Sequence, residues 1–120
     1  MTKRNTKLIA QQNDLFRQNY GDTNAQKETG IQGQYCITPG ISEMPILEQF
    51  KITMAVRNFN NFNKDNDPYG EHDMGSFKHN AESIFWKIDC YDLNYEYGSE
   101  DPSDLSKTRR VLTVMCAHEY

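Results

Sequence analysis

Residues 83–91, Ser-Ile-Phe-Trp-Lys-Ile-Asp-Cys-Tyr, constrain the fold most strongly, because two sets of side chains alternate along the segment. A repeat of two is typical of a β-strand, in which successive side chains point to opposite faces of a sheet. One face carries Ile84, Trp86, Ile88 and Cys90, and the other carries Phe85, Lys87, Asp89 and Tyr91. The face with the single tryptophan is predicted to be the core.

A turn is predicted just upstream, at Asn66-Asp67-Pro68-Tyr69-Gly70. Asp-Pro opens turns, and a glycine can take positive φ without strain. We expect Asp67 to accept hydrogen bonds from main-chain N–H groups of this turn. The segment 71–78 then reads as the strand that pairs with 83–91, joined to it by residues 79–82. A further β-branched strand is predicted over 110–117.

Two helices are predicted in the N-terminal half. Within residues 3–18 the apolar residues recur after seven positions, as on one face of a helix. A second helix is predicted to begin with Ser42 as its N-cap and Pro45 in its first turn. The polar stretch 21–34 reads as a connector, and a short strand follows over 35–38. The chain is therefore predicted to be α+β, a small antiparallel sheet of three to four strands packed against about two helices.

One domain over residues 1–120 is expected, because a chain of this length is too short for two cores. Residues 1–34 form the N-terminal helix and polar connector, and residues 35–120 form the α+β core. No run approaches the ~20 apolar residues of a membrane span, and no apolar signal sequence follows the basic N-terminus. Three cysteines without a CxxC pair favour a reducing compartment, so a cytoplasmic location is expected.

The two halves of the chain differ in charge. Residues 1–59 carry seven Lys/Arg and five Asp/Glu, whereas residues 60–120 carry six and twelve. An acidic surface repels nucleic-acid phosphates, so direct binding to DNA or RNA is not expected. Such a surface suits a basic protein groove, a metal ion or solubility alone.

The sequence Glu71-His72-Asp73 gathers three potential ligands or acid–base groups just after the turn. On a strand His72 would point away from its two neighbours, and Asp89 could join Asp73 across the hairpin. Paired carboxylates suit a hard cation or general acid catalysis, a turn network or partner contact being the alternatives. Asp65-x-Asp67 begins like an EF-hand calcium loop, but the twelfth position, which needs a glutamate, is Ser76. The sequence also contains no nucleotide-binding or hydrolase motif. No cofactor is expected.

Residues 66–75 and 85–92, together with 98–102, 108–115 and the ending Glu119-Tyr120, carry a resemblance. The chain resembles the bacterial domain-of-unknown-function family 3768, from about Asn13 to its last residue, and the motif within 66–92 is specific. The resemblance implies a gene carried on plasmids and other mobile elements, beside anti-restriction genes. It therefore implies a role in countering host defence.

Two functions of different classes follow. The first is a non-enzymatic binding or inhibitor protein, including an anti-CRISPR or other anti-defence protein, that covers a basic nucleic-acid-binding surface of a host defence nucleoprotein complex. Its predicted contact residues are acidic: Asp65, Asp67, Glu71, Asp73, Glu100, Asp101 and Asp104. The alternative is a small metal-assisted hydrolase or nuclease with four candidate ligands: Glu71, His72, Asp73 and Asp89. The sequence favours the first function. No catalytic residue and no membrane partner are predicted.

Overall fold

The strand that carries the tryptophan lies inside a four-stranded sheet in the computed structural model, which describes residues 4–120. The predicted N-terminal unit 1–34 thus begins with three residues that lie outside the described part of the chain. The elements follow in the order α1 (Thr6–Gln18), α2 (Thr23–Thr29), β1 (Gly33–Ile37), α3 (Pro39–Ser42), α4 (Ile46–Arg57), β2 (Met74–His79), β3 (Glu82–Tyr91) and β4 (Arg109–Cys116).

The sheet confirms the α+β class and the predicted hairpin. Its order is β1-β4-β3-β2, and β2, β3 and β4 run antiparallel. It differs from the expected antiparallel sheet in one respect, because β1 pairs with β4 in parallel. A parallel neighbour needs a long crossover, and the chain supplies one, since α3, α4 and the β2–β3 hairpin all lie between β1 and β4.

The core lies on the predicted face of β3. Trp86 is fully buried, and Ile84 and Ile88 are buried beside it, as expected. Helices α1 and α4 contribute Phe16, Ile52 and Val56 to the same cluster. The strand β2 begins at Met74 rather than at residue 71, because residues 71 and 72 are held in the preceding turn.

Two local predictions in the N-terminal half need correction. The connector 21–34 contains α2, which Asp22 caps through its side chain and Gly30 ends at a φ of 75°. Ser42 is the last residue of α3 and not a cap, whereas α4 begins after Pro45. Both short helices consist largely of polar or turn-forming residues, so apolar periodicity did not reveal them. Within residues 4–120, no helix is long and apolar enough to cross a membrane.

Glu119 ties the end of the chain to α3. Its carboxylate accepts hydrogen bonds from Thr38 Oγ1 at 2.6 Å, from Gly40 N at 2.9 Å and from Cys116 N at 2.9 Å. These three donors stabilise the charged form, so they lower the pKa of Glu119 to about 2. One ionised side chain therefore holds β4, the C-terminal turn and the start of α3 together.

We expect Trp86→Ala to lower the free energy of unfolding by about 3–5 kcal/mol, as large-to-small core substitutions do. Urea denaturation would measure the change. Phe50→Ala is the matched control, because Phe50 is 60% exposed on α4, and it should change stability by no more than about 0.5 kcal/mol. Equal effects of the two substitutions would contradict the position of the core.

Glu119→Gln should destabilise the protein at neutral pH and progressively less at acid pH. A carboxylate whose folded pKa is depressed stabilises the fold above its unfolded pKa, and that contribution is lost as pH falls through the folded value. The difference between wild type and variant should therefore shrink between pH 4.5 and about 2. Urea denaturation across that range is the measurement, with the exposed Glu28→Gln as control. A difference that does not vary with pH would refute the ionised network.

Candidate functional site

The predicted turn forms around the carboxylate of Asp67, which is buried. Its Oδ1 accepts main-chain hydrogen bonds from Glu71 N at 3.1 Å and His72 N at 3.2 Å. Gly70 has a φ of 70°, which confirms the conformation expected of it. The Asp-Pro-x-Gly sequence is thus explained by local hydrogen bonding, and Asp67 has a structural role.

His72 leaves the turn at a φ of 54°, a left-handed conformation that a non-glycine residue rarely adopts. Its ring stacks on Phe62 with centroids 4.0 Å apart. Its Nδ1 lies 3.0 Å from both carboxylate oxygens of Asp14, and its Nε2 lies 3.6 Å from Asp67 Oδ2. The imidazole is therefore fixed between two carboxylates, which offsets the backbone strain.

Arg17 lies beside this histidine and is buried. Its guanidinium donates to Val56 O at 3.0 Å, to Phe59 O at 2.8 Å and to Asp14 Oδ1 at 3.0 Å. It also stacks 5.1 Å above the ring of Trp86. The structure places a cavity of about 370 Å³ here, lined by Asp14, Arg17, Gln18, Arg57, Asn58, Phe59, Asn60, Phe62 and His72. The charged side chains that line this cavity already bind other groups of the protein.

Glu71, Asp73 and Asp89 face a separate cavity of about 280 Å³, which also contains Arg4 and Cys90. Arg4 binds both carboxylate oxygens of Glu71. Burial, and the nearby carboxylates of Glu71 and Asp67, raise the pKa of Asp73. Lys87 Nζ binds Asp89 Oδ2 at 2.7 Å. Burial raises the pKa of Cys90, so this cavity holds no activated thiol.

The four predicted metal ligands are therefore divided between two cavities. His72 lines the first, and the three carboxylates line the second. Over residues 4–120 these four side chains do not bring three donor atoms within 4.8 Å of one another. Two of the carboxylates are neutralised by a basic side chain, so the arrangement resembles a set of structural ion pairs more than a metal centre.

A different part of the acidic half faces outward, the segment 92–107, here called the acidic loop. It contains five carboxylates and one lysine: Asp92, Glu96, Glu100, Asp101, Asp104 and Lys107. Tyr97 is 73% exposed on it, and Leu93 is also exposed. Glu100 Oε1 lies 3.1 Å from Lys107 Nζ, in an exposed pair whose Glu100 side chain is 76% accessible. The loop offers acidic and aromatic groups together to solvent.

The main chain of the acidic loop is fixed by its own side chains. Asp92 Oδ1 accepts hydrogen bonds from the N–H groups of residues 94 and 96. Asp101 Oδ1 accepts from the N–H and hydroxyl of Ser103. Asp104 caps the 3₁₀ turn Leu105–Lys107 and accepts twice from Ser106, which lowers the pKa of Asp104. The loop therefore presents its charges in a defined arrangement.

The seven predicted contact residues occupy four different environments. Asp67 and Glu71 are buried in internal contacts, and Asp73 is half-buried in the second cavity. Asp65 is exposed next to the turn, and the other three belong to the acidic loop: Glu100, Asp101 and Asp104.

Sequence reasoning missed several residues of these sites. In the acidic loop it missed Asp92, Glu96 and Tyr97, although the Tyr-Glu-Tyr-Gly sequence over 95–98 combines exposed aromatic and acidic residues in a turn. It also missed Asp14, which binds His72, and Arg17, which binds the same carboxylate. Their spacing of three on a helix predicts an ion pair and gives no sign of the distant histidine.

The model of the family described as protein of unknown function (DUF3768) matches residues 37–119, and the chain therefore belongs to this family. The match covers α3, α4, the strands β2, β3 and β4 and the acidic loop, whereas α1, α2 and all but the last residue of β1 lie outside it. No curated protein and no solved structure matches the chain.

Gly70→Ala should lower the free energy of unfolding by about 1–2 kcal/mol, the cost of a left-handed conformation for an L-residue. Space is not the cause, because a Cβ at Gly70 would meet only Thr6 Cγ2 at 3.7 Å. Gly98→Ala is the matched control, since a Cβ at Gly98 would meet nothing within 4 Å and its φ is not positive. Thermal or urea denaturation would compare them. A destabilisation equal to that of Gly98→Ala would refute the role assigned to the turn.

Proposed function

We propose that this family member is a non-enzymatic binding protein, whose acidic loop occupies a basic surface of a protein partner, one that otherwise holds nucleic acid. The observation that carries the proposal is the charge of the loop. Five carboxylates and one lysine in sixteen residues give it a net charge of −4, equal to the formal net charge of the whole chain. Charge concentrated on one exposed segment steers association with a basic partner.

The exposed tyrosine of the acidic loop supports a protein partner rather than an acidic surface that serves solubility alone. Tyrosine is enriched at interface hot spots, because it offers a large contact area with a hydroxyl group and few rotatable bonds. Tyr97 lies between Glu96 and the more distant Glu100, and its ring is open to solvent. An exposed tyrosine with acidic neighbours in the sequence suits arginine or lysine on a partner, by stacking and by ion pairing.

The rigidity of the loop supports binding without a large entropic penalty. Asp92 N donates to Tyr97 O at 2.8 Å, and Ser99 N donates to Cys90 O at 2.9 Å. The buried Arg110 donates to Pro102 O at 3.2 Å and connects the loop to the core. A loop that is ordered before it binds loses less conformational entropy in the complex.

Within this class the partner we propose is a host defence nucleoprotein complex, so that the chain acts as an anti-CRISPR or other anti-defence inhibitor. The support is the implied mobile-element context of the family, joined to an acidic surface that can take the place of nucleic acid. A cytoplasmic location is part of the proposal, and the three unpaired cysteines, Cys36, Cys90 and Cys116, support it. The metal-assisted hydrolase receives less support, because its four candidate residues are divided between two cavities.

Charge reversal in the acidic loop tests the proposal. Asp101 and Asp104 also order the loop, so Glu96→Lys and Glu100→Lys are the sharper substitutions. Partners captured from bacterial lysate would be identified by mass spectrometry, purified, and assayed for association rate at low and high salt. We expect the double variant to slow association on the order of tenfold at low salt, with little change in dissociation.

The matched control is Glu28→Lys with Glu43→Lys, which makes the same change of net charge on exposed positions outside the loop. It should leave the association rate nearly unchanged. The partner's DNA or RNA should compete with the wild-type chain. Binding that is insensitive to salt, or a ternary complex with nucleic acid bound, would contradict the proposal. Turnover of a substrate that is lost on chelation would instead favour the hydrolase.

A further inference from the structure

The C-terminal end of the sheet brings together three side chains of different chemistry, Glu82, Cys116 and His118. A carboxylate oxygen, a thiol sulfur and an imidazole nitrogen from them all lie within 4.8 Å of one another. Within residues 4–120, no other group of three His, Cys, Asp or Glu side chains brings its donor atoms this close together. It lies outside both cavities described above and outside the acidic loop.

The sheet register explains why these residues meet. In the β3–β4 pair Ile84 lies opposite Cys116, and extending that antiparallel register places position 118 opposite Glu82. The chain leaves β4 after Cys116 and forms the 3₁₀ turn Ala117–Glu119. His118 nevertheless remains over its cross-strand position, with Nδ1 3.6 Å from Glu82 Oε1. The three donors therefore come from two hydrogen-bonded strands and one short turn.

The turn that carries His118 is held at both ends. Glu119 accepts a hydrogen bond from Cys116 N through its side chain, and the main-chain N–H of Glu119 donates to the Cys116 side chain. The same carboxylate binds Thr38 and Gly40 of the neighbouring helix. Such outer contacts orient metal ligands and are a regular feature of metal sites.

From this arrangement we propose that Glu82, Cys116 and His118 bind a thiophilic divalent cation, Zn²⁺, with three protein ligands and water in the fourth position. Thiolate, imidazole and carboxylate are the ligands that zinc takes in proteins, at about 2.0–2.3 Å. Hard cations such as Mg²⁺ and Ca²⁺ prefer all-oxygen sites, so they do not fit a set that includes sulfur. Small rotations of two exposed side chains close the present spacing to bonding distance, since His118 and Glu82 are 72% and 44% exposed.

Binding a cation requires the thiol of Cys116 to lose its proton. Burial, with Glu119 and Glu82 beside the sulfur, raises the pKa of the Cys116 thiol to about 11. The free thiol therefore keeps its proton at neutral pH. On binding, the S–H bond breaks, the proton leaves to solvent and the sulfur lone pair forms the bond to the cation, so no oxidant or reductant is needed.

Co²⁺ is the probe, because thiolate ligation to Co²⁺ gives a charge-transfer absorption that imidazole and carboxylate ligands do not give. The full chain, without a polyhistidine tag, would be titrated with Co²⁺ and then with Zn²⁺. We expect binding of one equivalent, with the charge-transfer absorption, and displacement of Co²⁺ by Zn²⁺. Cys116→Ser should abolish the absorption, and His118→Gln or Glu82→Gln should weaken binding tenfold or more, on the order of the effect of losing one ligand contact.

The chain supplies close controls. His79 Nε2 lies 3.4 Å from Glu48 Oε1, in a histidine–glutamate pair with no thiol in the group, so His79→Gln should leave the absorption intact. Cys36→Ser, at an exposed thiol, should also leave it intact. His118→Gln changes an exposed side chain and keeps the test valid if Cys116→Ser fails to fold. Absence of the absorption, its survival in Cys116→Ser, or unchanged affinity in His118→Gln would overturn the proposal.

Discussion

The buried guanidinium of Arg17 is the contact on which most of the architecture depends. Removing a charge from water is unfavourable unless it finds partners, and Arg17 finds four partners in three parts of the fold. It binds Asp14 on its own helix, two carbonyls at the end of α4 and the face of Trp86 on β3. The same aspartate fixes His72, so the helix packing and the strained turn share one carboxylate. Displacing α1 would break the contacts of this guanidinium with the end of α4 and with Trp86.

A second buried arginine performs a related task on the other side of α1. Arg110 donates to Asn13 Oδ1 at 2.8 Å and to Gln12 Oε1 at 2.9 Å, and it has no carboxylate among these partners. Burial therefore lowers its pKa, although a guanidinium stays charged at any ordinary pH. Its third bond, to Pro102 O, fixes the acidic loop. Arg110 therefore joins the acidic loop to α1, the helix that also carries Arg17.

The parts of this structure that were predictable from sequence are those set by local chemistry. Alternation along 83–91 identified the buried face of Trp86, and Asp-Pro-x-Gly identified the Asp67 turn and the φ of Gly70. The parallel pairing of β1 was not predictable, because residues 77 positions apart along the chain form it, as in the pair of Gly33 with Arg110. The conformation of His72 was hidden for the same reason, since its partner Asp14 lies 58 positions away. The zinc-ligand set proposed at Cys116 also depends on a cross-strand register.

The position of the acidic residues separates folding from binding within one charged half. Carboxylates of the 66–73 motif point inward: Asp67 binds main-chain N–H groups and Glu71 binds Arg4. Both carboxylates are buried, and these partners offset the cost of their desolvation. Releasing them to bind another molecule would remove that compensation. In the acidic loop the half-buried Asp92, Asp101 and Asp104 order the turns through Oδ1. Its other two carboxylates, Glu96 and Glu100, are exposed. Asp67 and Glu71 of the motif therefore serve internal contacts, and the proposed partner would bind instead to the negative charge of residues 92–107.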